Sequence, residues 1–338
     1  MNKPLVAVVI LNFNGRSYLQ KFLPSVLAST YDNAKIIVAD NASSDDSLSF
    51  LRRNFPSVEI ISLEKNFGFA QGYNQALKQV DADYFVLLNS DVEVAKDWIE
   101  PIVELMERDE TIAFCQPKIL AYNDKTSFEY AGAAGGWIDV LGYPFARGRV
   151  FDTLEKSEDQ YATSTAIFWA TGAALFAKAG VYKHLGGFYG FFFAHQEEVD
   201  LCWRAQLAGH KIACCVESVV YHVGGGTLPK GHFRKTFLNF RNNLVMLSRN
   251  LPLKEKIWKL PLRLVLDGLF GVKSFLSGDF VTVKGILLAH FAFYKWSFAK
   301  KEKDSFAKKR MKSLTGVYSG SLVWQYFVKG RKYFRDFF

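Results

Sequence analysis

Repeated switching between short β-rich runs and helical patterns over the first 120 residues constrains the fold more than any other feature of this 338-residue chain. Expected strands are Leu5 to Leu11, Lys35 to Ala39, Val58 to Ser62 and Tyr84 to Leu88. Between them the pattern predicts helices from about Ser17 to Ser29, Asp45 to Asn54 (capped by Ser43-Ser44-Asp45), Phe69 to Gln79 and Lys96 to Arg108. β-α units of this length require a mostly parallel, doubly wound sheet with helices on both faces. Ligands of such sheets bind beyond the carboxyl ends of the strands. Three of those ends are polar or contain glycine: Asn12-Phe13-Asn14-Gly15, Asp40-Asn41-Ala42-Ser43 and Asn89-Ser90-Asp91. The last closes an apolar run that reads as a strand buried on both faces, where an aspartate has no packing role. Asp91 is placed there to hold a divalent cation against a diphosphate, although Asn-Ser-Asp after a strand is also an ordinary turn.

Residues 121 to 165 lose the alternation and are rich in glycine and aromatics, which reads as loops and short strands lining a site. Trp137, Tyr143 and Phe145 are candidates there for stacking on a sugar. Order returns with Ile167 to Phe176, a helix from about Gln196 to Leu207, and strands Lys211 to Val216 and Val219 to His222. The chain is expected to divide into residues 1–230 and a helical region, 231–338, rich in Phe, Leu and Lys.

The formal charge of +9 belongs wholly to the tail: residues 295–338 hold 12 Lys/Arg and 3 Asp/Glu. With no net charge over all the residues before 295 and no DNA- or RNA-binding motif, a nucleic-acid partner is excluded. Lys256, Lys259, Arg263 and Asp267 gather on one side of a helical wheel, away from Trp258, Leu262, Val265, Leu266 and Leu269. Pro261 is expected to kink this stretch or restart it as a new helix. Residues 280–298 are more apolar and lead into Lys300, Lys301 and Lys303. Two arrangements suit this region: a helical subdomain packed on the sheet, or amphipathic helices in a membrane interface with Lys/Arg near anionic headgroups. No run of 18 uncharged apolar residues predicts a transmembrane helix. Cys115, Cys202, Cys214 and Cys215 show neither metal-site nor disulfide spacing, and no signal-peptide pattern precedes the first strand. Those features point to a reducing, cytoplasmic setting, peripheral on the inner face of the membrane.

In their order along the chain, these strand ends resemble the family-2 glycosyltransferases with the GT-A fold, most closely the rhamnosyltransferase-like branch. The resemblance is carried by Ile10 to Gly15, Ala39 to Asp45, Asn66-Phe67-Gly68-Phe69-Ala70 with Gly72 and Asn74, and Leu87 to Asp91. It continues through Thr171-Gly172-Ala173-Ala174, Gly186-Gly187-Phe188, Glu197 to Leu201 with Arg204, and His222, covering roughly residues 4–245.

That resemblance implies a GT-A nucleotide-sugar domain over residues 1–230. Asp40 would accept hydrogen bonds from a uracil or thymine N–H; an Asx-turn is its purely structural alternative. Asn12, Asn14, Asn66, Gly68, Asn74 and Asn89 would lie near the nucleotide, with Gly68 permitting close approach and the helix after it offering free N–H groups. Asp91 and His222 would hold Mg²⁺ or Mn²⁺, with Asn89 replacing the commoner first aspartate of Asp-x-Asp. Glu198 stands where the family's catalytic base is usually an aspartate, which leaves Glu197 and Asp200 as alternatives. The implied reaction is an inverting, metal-dependent transfer from dTDP-rhamnose or a UDP-sugar to a glycan or lipid-linked glycan. A non-catalytic nucleotide-sugar-binding subunit is the alternative.

Overall fold

The computed structural model describes residues 3–224, 232–299 and 306–338. Gly225, Gly226, Lys300, Lys301 and Lys303 therefore lie outside the described residues. Strands β1 (Val6–Asn12), β2 (Ala34–Asp40), β3 (Glu59–Ser62) and β4 (Tyr84–Asn89) alternate with helices α1 (Arg16–Leu27), α2 (Ser47–Asn54) and α3 (Gly68–Leu77). Then follow β5 (Val92–Val94), α4 (Glu100–Arg108), β6 (Ile112–Ala121), β7 (Asp124–Phe128), β8 (Gly136–Asp139), β9 (Pro144–Ala146), β10 (Arg149–Val150) and β11 (Thr153–Leu154). The module ends with β12 (Thr165–Ile167), β13 (Ala174–Lys178), α5 (Ala179–His184), α6 (Glu197–Leu207) and β14 (Lys211–His222). Three long helices come next, α7 (Phe233–Asn250), α8 (Leu253–Leu276) and α9 (Phe280–Phe298), and a short strand, β15 (Val317–Tyr318), lies near the C-terminus.

The main sheet has ten strands along the path β12-β14-β6-β13-β4-β1-β2-β3, with β5 on β14 and β7 on β6. β1 to β4 are mutually parallel, β14 runs parallel to β6, and β13 is antiparallel to both β4 and β6. Both faces are covered, as expected of a mostly parallel sheet. Ala7 and Val9 of β1 join Phe85 and Leu87 of β4 in one core, while Val6, Val8 and Ile10 join Tyr84, Val86 and Leu88 in the other. The register aligns the strand ends: Asn12 sits opposite Asp40, and Leu11 opposite Asn89. The two strands expected around residues 211–222 are one, bent by an irregularity between Cys215 and Val219. The single ordered stretch expected at 167–176 is two strands separated by residues 168–173, with a turn at Gly172-Ala173. Helix α8 continues through Pro261.

The glycine- and aromatic-rich region is not an open sugar-stacking surface. It forms a second sheet, β11-β10-β9-β8-β15, whose last strand comes from the C-terminus. Phe145 is fully buried, packed against Tyr318, Phe334 and Phe337, and the Trp137 ring lies 4.7 Å from that of Phe338. Tyr143 lies under the Arg263 guanidinium at 3.6 Å. The aromatic density there serves a core shared with the tail, which removes these three rings as sugar platforms. The buried Asp139 carboxylate secures the same junction by accepting from the N–H groups of Leu141, Tyr143 and Leu322. Replacing Phe145 with alanine should cost about 3–5 kcal/mol, read as a lower denaturation midpoint at unchanged slope.

Candidate active site

The carboxyl edge of the parallel strands gathers most of the residues anticipated from sequence. Asn12 Nδ2 donates to Asp40 Oδ1 at 2.9 Å and to Ser43 Oγ at 3.1 Å, while Ser43 N–H donates to Asp40 Oδ2. Asp40 thus closes its own loop onto the Ser43 N–H, three residues on, and is tied to the end of the neighbouring strand. Asn14, with φ of 52°, accepts from the N–H groups of Ser44 and Asp45, closing the loop after β1 onto the loop after β2. Gly15 allows this crowding, since a Cβ there would lie 2.5 Å from Asn12 Oδ1 and 3.4 Å from Ser90 Oγ. Asn12 Oδ1 is buried with no hydrogen-bond partner among the described residues, so this edge retains one unsatisfied acceptor.

Asn66 and Gly68 lie beside this cluster, joined to it by Asn41. Asn41 Nδ2 donates to Asn66 Oδ1 and to the Gly68 carbonyl, and its Oδ1 accepts from Phe67 N–H. The helix N–H groups expected to be free for phosphate are engaged. Gly68 N–H donates to Asn66 Oδ1, and the Phe69 and Ala70 N–H groups both donate to the Phe193 carbonyl. The backbone approach that Gly68 permits, at φ of 75°, is made by the Phe193 ring, 2.5 Å from where a Cβ would be. Asn74 is also fully occupied: it donates to the Phe188 carbonyl and accepts from Tyr182 Oη and Phe188 N–H, fastening the Gly-Gly-Phe turn.

Asp91 and His222 come together because β5 pairs antiparallel with β14, setting Val92 opposite His222. His222 Nε2 lies 3.2 Å from Asp91 Oδ1, and Nδ1 lies 3.0 Å from Glu129 Oε2; all three residues are buried. Burial alone would lower the His222 pKa, but the hydrogen bonds and charges of Asp91 and Glu129 outweigh it and raise the pKa to about 10. No group of three or more His, Cys, Asp or Glu side chains among the described residues forms a complete cation cage. Asp91 and His222 do form a carboxylate–imidazole donor pair, to which diphosphate oxygens and water would add the remaining ligands. That donor chemistry fits Mn²⁺ better than Mg²⁺, and Glu129 would fix the imidazole from behind.

The third part is the N-terminus of α6. Glu197 is buried and Glu198 largely so, and Oε2 of each has no hydrogen-bond partner among the described residues. Burial raises the Glu198 pKa to about 7, a rise its own N–H and that of Val199 only partly offset. Burial and the adjacent Glu198 charge push Glu197 well above the usual carboxylate range. Asp200, in contrast, is fully committed: it accepts from Arg204 at 2.8 Å, Arg249 at 3.2 Å and Asn250 at 2.8 Å. The other Arg204 nitrogens donate to the Leu185 and Gly187 carbonyls, so this arginine braces the Gly-Gly-Phe turn.

The approach to Glu197 is a strained turn that sequence reading did not reveal. Phe193, His195 and Gln196 have φ of 64°, 70° and 72°, a left-handed region costly for side-chain-bearing residues. Helix α7 fixes it. Asn242 Nδ2 donates to the carbonyls of Phe192, Ala194 and His195, and Arg241 reaches those of Phe191 and Phe192. Asn243 binds Gln196 Oε1 and the Gly142 carbonyl. The available signal was the Arg241-Asn242-Asn243 run inside an otherwise amphipathic helix; nothing in the sequence linked Glu129 to His222.

Comparisons with known proteins bear on the fold and the family. The sequence profile described as Glycosyl transferase family 2 matches residues 7–173. The N-acetylglucosaminyl-diphospho-decaprenol L-rhamnosyltransferase of Mycobacterium tuberculosis is 22% identical over 290 residues, covering 80% of this chain and 92% of that one. The fold resembles that of GalNAc-T7 crystallised with UDP, GalNAc and Mn²⁺, at a TM-score of 0.60 and 17% identity, over 75% of this chain and 49% of that one. It also resembles the mannosyltransferase PcManGT of Pyrobaculum calidifontis, in complex with GDP-Man and Mn²⁺, at a TM-score of 0.55 and 15% identity, over 88% and 89% of the two chains.

In the metal-free protein His222 should titrate near pH 10 in a histidine NMR experiment, and Glu129→Gln should lower that value. The sign follows from linkage. A pKa raised from 6.5 contributes stability that is complete below pH 6.5 and is lost as pH rises through about 10. The stability gap between wild type and the Glu129 variant should therefore narrow across that window.

Proposed function

With residues 7–173 forming a family 2 glycosyltransferase domain, we propose that the protein is an inverting, metal-dependent glycosyltransferase. It moves a sugar from dTDP-rhamnose or a UDP-sugar to a hydroxyl of a glycan or lipid-linked glycan in surface polysaccharide synthesis. The observation that carries this reading is the Glu197–Glu198 pair at the N-terminus of α6, whose Oε2 atoms have no hydrogen-bond partner among the described residues, with Glu198 poised to titrate near neutrality. A general base works best with a pKa near the operating pH. Glu197, held protonated by burial and by its neighbour, leaves Glu198 as the group that ionises. Asp200 is neutralised by two arginines and serves as a structural anchor.

In this mechanism the Glu198 carboxylate removes the proton from the acceptor hydroxyl. The hydroxyl oxygen bonds to the anomeric carbon from the face opposite the leaving group. The bond from that carbon to the diphosphate oxygen breaks with its electron pair leaving on the nucleoside diphosphate. A divalent cation on Asp91 and His222, when bound, neutralises charge developing on the diphosphate. Asp40, with Asn12 behind it, binds the base N–H, and Asn14, Asn66, Gly68 and Asn89 shape the edge that receives the nucleotide. Asn74 supports this edge through the Gly-Gly-Phe turn. The relatedness to a rhamnosyltransferase whose name specifies a diphospho-decaprenol acceptor supports a lipid-linked glycan acceptor. We place the protein peripherally on the cytoplasmic face of an anionic membrane, where Lys/Arg of the tail each contribute about 1 kcal/mol. A non-catalytic nucleotide-sugar-binding subunit is the second reading. It accounts for Asp40 and Asp91 and for the departure from aspartate at position 198, but assigns no role to a buried carboxyl without partners.

Glu198→Gln should lower transfer by roughly 10²- to 10⁴-fold while Mn²⁺-dependent nucleotide binding stays intact. Wild-type kcat/KM should decline as pH falls through about 7, the Glu198 value, and the variant should lack that limb. Retained transfer in the variant would move the base role to Glu197. In a thermal-shift titration with nucleotide sugar, Asp91→Ala should abolish the Mn²⁺-dependent stabilisation. An unchanged titration would remove Asp91 from the cation site.

A further inference from the structure

Helix α8 is inverted relative to a helix of a water-soluble core. Its buried positions are Lys259, Arg263, Asp267 and Ser274. Lys259 and Arg263 pair at i,i+4 spacing with Glu255 and Asp267, Arg263 donates to the Leu141 carbonyl, and His290 of α9 reaches Asp267 at 3.3 Å. The polar stripe thus docks the hairpin on the catalytic module. The apolar side faces outward: ten large apolar residues of α8 and seven of α9 are 38–88% exposed, among them Leu269, Phe275, Leu276, Leu287, Phe291 and Phe298. Side chains of that number and size present on the order of 1,000 Å², beyond the patch a soluble monomer leaves bare.

Charge identifies what covers this face. The two helices contain only two acids, Glu255 and Asp267, and both are paired inward with Lys259 and Arg263. The exposed charges on the helices are lysines: Lys254, Lys273, Lys284 and Lys295. A second copy of the same face would set lysine against lysine, whereas anionic headgroups would neutralise them while their stems lie along hydrocarbon. Neither helix is long and apolar enough to cross a membrane. An apolar groove of about 330 Å³ between them, floored by Gly268 and Gly271, gives one hydrocarbon chain a seat.

We propose that the outward face of the α8–α9 hairpin lies in the acyl layer of one leaflet of an anionic bilayer, held parallel to its surface without spanning it. This deepens the membrane contact proposed above and is independent of the sugar chemistry. It also gives the polar stripe its purpose, because the charges that would be costly in hydrocarbon are turned toward protein.

The test uses the full chain and vesicles of phosphatidylcholine and phosphatidylglycerol brominated on the acyl chains. Trp258, exposed on the hairpin, should be quenched by the bromines, and Trp258→Phe should remove most of that quenching. The double variant Leu269→Glu with Phe291→Glu should bind vesicles at least about tenfold more weakly and keep its nucleotide-induced thermal shift. Vesicle binding without quenching, reversed by high salt, would show contact with headgroups alone and overturn the proposal. Concentration-dependent dimerisation that protects Trp258, with no vesicle binding, would assign the face to a second copy and overturn it equally. Absence of the nucleotide shift in wild type would count against the glycosyltransferase reading and leave this inference standing.

Discussion

Two adjacent glutamates, one buried and one largely so, each with a carboxyl oxygen lacking a hydrogen-bond partner among the described residues, make an unfavourable arrangement, and much of the structure exists to hold it. Desolvation disfavours the charge of both, and the Glu198 charge adds to the cost of ionising Glu197. The turn before them runs through three left-handed residues, which persist only because α7 satisfies its carbonyls from Asn242 and Arg241. That helix is in turn anchored by Asn250 and Arg249 on Asp200. The Phe193 carbonyl then joins the turn to the N-terminus of α3 through two N–H donors. The glutamate pair is therefore mechanically linked to the carboxyl edge of the sheet, and the helical region contributes directly to its geometry.

Much of this was legible in the chain. Parallel strands buried on both faces announce themselves by apolar runs such as Tyr84 to Leu88, and polar residues at their ends had no competing explanation in packing. The Asn12–Asp40 pair follows from that reading because register sets strand ends side by side, whereas the Asp91–His222 pair was implied only by the family resemblance. Residues whose role depends on contacts distant in sequence were hidden. Glu129 reaches His222 across 93 positions, and Asn242 reaches the Phe192–His195 turn across about fifty. Trp137 and Phe145 misled for a related reason: aromatics near a site are equally the material of a core, and the residues that bury them lie nearly two hundred positions later.

The polar stripe of α8 shows a different limit of sequence reading. Helical periodicity places Lys259, Arg263 and Asp267 on one side, but periodicity does not say which side faces the protein. Here the ionic side does: Lys259, Arg263 and Asp267 are buried, and Arg263 reaches the Leu141 carbonyl and the Tyr143 ring of the domain. The inversion joins the two halves of the molecule functionally. The α/β module sits on the polar side of the hairpin, and the opposite side exposes its apolar residues. If the acceptor is lipid-linked, as proposed, such a platform would hold the active edge at a fixed distance from the surface carrying it.

The central claim is that a cation-held diphosphate and an ionisable Glu198 serve one transferred sugar. A crystal structure with a non-hydrolysable nucleotide sugar and Mn²⁺ tests it most directly. The account predicts the metal on Asp91 and His222, bridging the diphosphate, with the Glu198 carboxylate facing the open side of the anomeric carbon. A nucleotide bound elsewhere, or a Glu198 carboxylate directed away from that carbon with protein between them, would contradict it.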